Sequence, residues 1–181
     1  GYNRRVRLLR VAARMIVDEF DGTVPRSPDE LVTLPGIGPA TAASIAAFAY
    51  NAPVVFIETN IRTVFIHEFF PGRDSVHDRD ILPLVEQTLD RDNPREWYWA
   101  LMDYGVMLKA ANPNPGRRSA HHTRQSKFEG SDRQIRGAVL RLLSARDNLS
   151  FAEIVDALGR QEQRIRPLLE ALEQEGFIAC K

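Results

Sequence analysis

Two short stretches hold residue types whose spacing suits chemistry. In VVFIETNIRTVF, residues 54–65, a single carboxylate, Glu58, interrupts an apolar run and is followed by Asn60 and Arg62. An acid at the start of an amphipathic segment reads in two ways. It is a helix-capping group on a solvated edge, or a catalytic carboxylate held at a helix N-terminus. In LPGIGPATAASIAAF, residues 34–48, Gly36 and Gly38 lie in a tight turn between a short helix and a longer one. Glycine permits positive φ and close backbone approach. A helix that starts at such a turn directs unpaired N–H groups outward, where a phosphate fits. Leu34, Pro35, Gly36, Ile37, Gly38, Ala40 and Thr41 are therefore candidate contacts to a DNA backbone, and Arg62 is a further one.

The elements that must position these residues read as helical almost throughout. Val6, Leu9, Ala13, Ile16 and Phe20 recur at helical spacing, with Arg7, Arg10 and Arg14 on another face. DGTVP breaks that helix. Ser27, Pro28 and Glu30 form a capping pattern for a short helix ending at LPGIG, and Pro39 opens an alanine-rich helix to about Tyr50. NAPVVFI is a connector. The helix beginning near Thr59 is expected to bury Ile61, Val64, Phe65 and Phe69. FFPGRDS breaks the chain again before a helix from Asp78 through Leu89. Asn93-Pro94-Arg95-Glu96 then opens one with Trp97, Leu101, Tyr104 and Leu108 on one side.

Residues 113–130 lie in a stretch rich in Pro, Asn, Ser and Arg and read as a linker between a domain over 1–112 and a smaller one over 131–181. The smaller domain shows helical segments at 132–145, 151–158 and about 162–175, and then GFIACK, which suits the start of a strand. That order resembles a winged helix–turn–helix in a generic way. Arg160, Arg164 and Arg166 are placed to meet phosphates, and Pro167 is expected to delay or kink the third helix. The fold class expected is all-α.

Composition excludes several classes. At 44% hydrophobic and 27% charged, the 181 residues suit an ordinary globular protein, and no apolar run approaches a membrane span. The lone Cys180 excludes a disulfide framework and a thiolate cluster within one chain, and fits a reducing, cytoplasmic setting. Net charge is zero, but arginine is concentrated in residues 1–17 and in a second stretch from Lys109 to Arg136, so local basic patches are expected. The adjacent His121 and His122 make a poor metal site by themselves, and no metal is expected. The chain starts at Gly1 without an initiator methionine, as a fragment would.

The hairpin at 34–43, GYNRRVRLL at 1–9 and ALMDYGVM at 100–107 together resemble the helix–hairpin–helix DNA glycosylases, which include endonuclease III and the adenine-specific mismatch glycosylases. The resemblance covers about residues 1–112 in order and spacing. It implies binding to double-stranded DNA containing a damaged or mismatched base. It also implies a base flipped out of the duplex with Tyr2 as a wedge, and hydrolysis of the N-glycosidic bond by a nucleoid-associated monomer. In that family an aspartate follows the hairpin by about twenty residues, where Glu58 stands here, and Asn60 matches a polar position two residues on. Such a carboxylate would stabilise an oxocarbenium-like sugar or orient a water.

The chain departs from the family pattern in four places. Glutamate reaches about 1.3 Å further than aspartate when extended, and an error of about 1 Å at a reacting centre costs on the order of a hundredfold. The lyase lysine of endonuclease III-like enzymes, two residues past the final hairpin glycine, is Ala40 here, so a monofunctional hydrolase is implied. Residues 108–130 contain no cysteine, so the iron–sulfur cluster of many relatives is expected to be absent, while hairpin carbonyls remain able to hold a monovalent cation. Finally, the glutamate with which adenine-specific members protonate the leaving base would precede Gly1, which leaves the excised base open. A non-catalytic DNA-binding module with a degenerate site is the alternative, kept open by the glutamate at position 58.

Overall fold

The breaks at DGTVP, LPGIG, FFPGRDS and the proline-rich stretch divide the chain into short helices. The computed structural model describes residues 3–110, 113–124, 126–146 and 148–179, with side chains from Arg5 onward. Its helices are α1 (Asn3–Glu19), α2 (Pro28–Leu31), α3 (Pro39–Tyr50), α4 (Thr59–Phe69), α5 (Asp78–Thr88), α6 (Pro94–Ala110), a 3₁₀ turn η1 (Pro115–Arg118), α7 (Asp132–Ala145), α8 (Phe151–Leu158) and α9 (Glu162–Gln174). Among the described residues there is no strand. The sole ladder contact is an isolated parallel bridge between Val76 and Ser119. The all-α expectation therefore holds.

The chain divides into a unit over Leu8–Thr123 and a second made of Gly1–Arg7 with Arg124–Lys181. In the larger unit α3 lies between two apolar clusters, which its alanines make possible. Ala42 and Ala46 pack with Ala12, Leu31 and Leu34. Ala43 and Ala47 join Phe56, Ile61, Phe65, Ile66, Val76, Ile81, Val85 and Tyr98. A helix lined by small residues lets neighbours approach on both sides, so α3 is apolar around its girth rather than along one stripe. Asn51 ends α3 in the left-handed conformation, at φ 55°. Its side chain also accepts from the Arg95 N–H at 3.0 Å in the first turn of α6. One residue thus terminates one helix and starts another.

Two expected faces turn out differently. On α1 the packed residues are Ala12, Met15, Ile16 and Phe20, whereas Val6 and Leu9 are 64% and 68% exposed. The helix rotation is set by Leu8: a Cβ added to Gly36 would lie 3.0 Å from Leu8 Cβ, so the hairpin docks there. On α4 Ile66 is buried in place of Phe69, which is 47% exposed and stacks on Phe65 at 5.3 Å between centroids.

Residues 113–123, read as part of a linker, belong to the larger unit and are held by hydrogen bonds rather than by apolar burial. Arg118 donates to the carbonyls of Phe70 and Ile66 at the end of α4. The backbone of Val76 exchanges bonds with Arg118 and Ala120 at 2.9 Å each. Composition registers the absence of apolar residues, but not bonds made by one arginine and the main chain.

In the smaller unit α7, α8 and α9 enclose Ile135, Val139, Ile154, Ile165, Leu169 and Leu172, with Phe177 and Ile178 packed on top. Ser150 and Glu153 form the expected capping box, and Gly159 closes α8 at φ 56°. The wing suggested by GFIACK has no strand among the described residues. Pro167 does not delay α9, which starts at Glu162 and runs through it. Arg164 pairs with Asp132 at 2.8 Å, and Arg166 lies over the Phe151 ring at 4.4 Å.

Candidate active site

The hairpin forms because Leu31 and Leu34 are drawn into the α1–α3 cluster, at 0% and 4% exposure, while the turn between them and α3 stays outside. Gly36 has φ +85°, a conformation for glycine, and lies too close to Leu8 for a side chain. Gly38 differs from that expectation. Its φ is −89°, open to any residue, and an added Cβ would meet nothing within 4 Å. Its importance is as the N-cap of α3, where no side chain covers the helix end. Pro39 has no N–H, and Ala40 and Thr41, both exposed, carry the first free N–H groups of the helix. Pro35 and Ile37 are half-buried, and Leu34 supports the turn from inside the core.

Glu58 is positioned from both sides. Upstream, the buried Tyr98 hydroxyl donates to the Val54 carbonyl at 2.7 Å and accepts from the Phe56 N–H at 3.4 Å, which fixes the connector. Burial pushes the Tyr98 phenol up to about 12, so it remains a neutral donor. Downstream, Glu58 is the N-cap of α4, and its Oε2 accepts from the Asn60 N–H at 2.6 Å. Among the described residues Oε1 has no hydrogen-bond partner. One oxygen anchors the side chain to the helix end.

Asn60 stands at the closest approach of α4 and α6. A Cβ on Gly105 would lie 2.6 Å from the Asn60 carbonyl oxygen and 2.7 Å from its Cβ. Lys109, one turn further along α6, donates through Nζ to Asn60 Oδ1 at 2.6 Å, while Asn60 Nδ2 donates to Met102 Sδ at 3.8 Å. The sequence reading missed Gly105, Lys109 and Tyr98. The i, i+4 spacing of Gly105 and Lys109 was the signal available for the first two.

Arg62 points elsewhere. It makes a bidentate pair with Asp78 on α5, both bonds 2.7 Å, and its side chain is 17% exposed. The Arg62 hydrogen bonds hold the Asp78 carboxyl below the ordinary carboxylate range, against the opposing effect of burial. His121 lies 4.0 Å from Asp78 and edge-on to His77. Tyr2 lies outside the described residues. Val54 packs against both apolar clusters and so links the core of the hairpin to the connector that carries Glu58.

The residues after α6 do not fit a four-thiolate iron–sulfur cluster, because 108–130 offer no sulfur donor. The described part of that segment is held by Arg118, by Asn114, whose side chain accepts from the Gly116 N–H at 2.9 Å, and by the Val76 bridge.

The family model for the helix-hairpin-helix motif matches residues 19–48. The chain is 34% identical over 159 residues to an adenine DNA glycosylase of Mycolicibacterium smegmatis, covering 79% of this chain and 54% of that protein. It is 30% identical to an adenine DNA glycosylase of Mycobacterium tuberculosis, covering 95% of this chain and 65% of the relative. An endonuclease III of Bacillus subtilis is 32% identical over 96 residues, 52% of this chain and 41% of that enzyme. The chain thus spans between about two fifths and two thirds of these relatives' own length. With hairpin, helical architecture and relatives in agreement, the chain belongs to the helix–hairpin–helix DNA glycosylase superfamily.

Proposed function

We propose that this chain carries the DNA-docking hairpin and the catalytic carboxylate of a monofunctional DNA glycosylase of base excision repair, acting on a damaged or mismatched base of the adenine/mismatch type. The single observation that carries the reading is Glu58. Its carboxylate is anchored through one oxygen to the start of α4 and free at the other, in a chain whose relatives are named adenine DNA glycosylases. In the proposed reaction the open N–H groups of Ala40 and Thr41 hold a DNA phosphate, and the target nucleotide leaves the stack. The N-glycosidic bond breaks, its electron pair departs with the base, and positive charge develops on the sugar. Glu58 Oε1 stabilises that charge and orients the water that adds to C1′, and the proton this water loses neutralises the departed base. Asn60 holds the water or the sugar from the next position on the helix.

Lyase activity is not part of the proposal. Ala40 stands at the hairpin position where a nucleophilic amine would be needed, and Lys109 is occupied as a donor to Asn60. No step is assigned to an iron–sulfur cluster. A second reading, a DNA-binding module without catalysis, draws support from the same 2.6 Å cap, which by itself gives Glu58 a structural role.

Single-turnover release of base from duplexes with A opposite 8-oxoguanine, T opposite G and U opposite G separates the two. Release that falls at least roughly a hundredfold in Glu58→Gln, with duplex affinity retained, is the expected result. Tight binding with no release from any duplex would leave the binding module. Borohydride trapping on abasic DNA should yield no covalent adduct.

A further inference from the structure

Lys109 is unusual in its surroundings. It is a half-buried cation in the last turn of α6 that, among the described residues, has no carboxylate within 4 Å and donates a hydrogen bond to a neutral amide oxygen instead. A cation so placed does not contribute by charge pairing. Its effect is to choose between the two ends of the Asn60 amide. Met102 sulfur is a weak acceptor and an equally weak discriminator. The ammonium, an obligate donor, admits the oxygen and repels the amino group. Gly105, one turn earlier on the same face, lets the two backbones come close enough for the lysine to reach.

We propose that Lys109 is a positioning residue of the active site: it locks the Asn60 side-chain amide with Oδ1 on the ammonium and one Nδ2 hydrogen on Met102 Sδ, so that the second Nδ2 hydrogen is the one left for the reacting sugar or water. Lys109 itself touches no substrate. The inference rests on the reading of Glu58 and Asn60 as the site.

The test uses the full chain and two readouts. In single-turnover assays on A opposite 8-oxoguanine, Lys109→Met should slow base release about tenfold at saturating protein, an effect of misorientation. Duplex affinity should be unchanged, and Lys109→Arg should recover most of the rate. In an Asn60→Ala background Lys109→Met should cost nothing more, because the lysine acts through the amide. An equal loss in both backgrounds, or no loss in either, overturns the proposal. The second readout needs no activity. In NMR spectra of the free protein the Asn60 side-chain NH₂ pair should be shifted and protected in the parent and in Lys109→Arg, and collapse toward solvent-exposed values in Lys109→Met. Coincident Asn60 resonances in all of them overturn the inference even if no base is released. Failure of base release in the parent counts instead against the glycosylase reading.

Discussion

Glu58 sits at a position where Ser, Thr, Asp or Asn would cap a helix better, because a shorter side chain reaches N2 and N3 without folding back. The glutamate caps nevertheless, at 2.6 Å through one oxygen. Glu58→Asp should preserve the cap, leave stability within about 0.5 kcal/mol in urea unfolding, and change the rate of base release. The direction of that change tells whether the pocket is matched to the longer acid. Gly105 is the complementary case. A methyl there must displace the Asn60 backbone, so Gly105→Ala should lower stability by about 1–3 kcal/mol and shift the Asn60 amide resonances, read by denaturant titration and NMR.

At the scale of elements, Gly38 separates two roles that usually travel together. The residue is the N-cap of α3, faces open space and needs no special φ. Gly38→Asp should therefore leave stability unchanged or raise it by a few tenths of a kcal/mol through a better cap. The same carboxylate would occupy the proposed phosphate position and should weaken duplex binding and flatten its salt dependence. Equal affinity at all salt concentrations would remove the hairpin from the interface. The end of α4 offers another test. Arg118 ties residues 113–123 to the Phe70 and Ile66 carbonyls, so Arg118→Ala should speed hydrogen exchange at the Val76 and Ala120 amides while leaving α1–α3 protected.

For the molecule as a whole, stability should be bounded by pH at both ends. Asp78, Asp90 and Glu153 have carboxyls held below their ordinary range, by Arg62, by the Asn93 and Asp92 backbone N–H groups, and by Ser150 respectively. Their stabilisation is complete above the ordinary carboxylate range and is lost as pH falls through the depressed folded values. Tyr98 works in the opposite sense. Its folded value of about 12 against an ordinary 10 means the unfolded chain loses the proton first. Stability should then decline from about pH 10 to 12. Urea unfolding across the pH range checks both limbs. Asp78→Asn should weaken the acid limb and cost about 1–2 kcal/mol at neutral pH by leaving the Arg62 charge unpaired.

What the amino-acid sequence determined by itself was local. Caps at Ser27, Ser150 and Pro39, the breaks between helices, the hairpin turn and the placing of Glu58 at the head of α4 depend on residues a few positions apart, which a linear reading can see. The tertiary structure decided which faces meet. Leu8 rather than Leu9 turns inward because Gly36 receives it. Arg62 pairs with Asp78, Tyr98 anchors a connector more than forty residues away, and Lys109 finds Asn60 across the α4–α6 contact. Those pairings depend on helix rotation and on glycine-limited approach of backbones. Neither leaves a mark in the spacing of one segment, so the hairpin and the carboxylate were readable in the sequence, and the machinery that holds them was not.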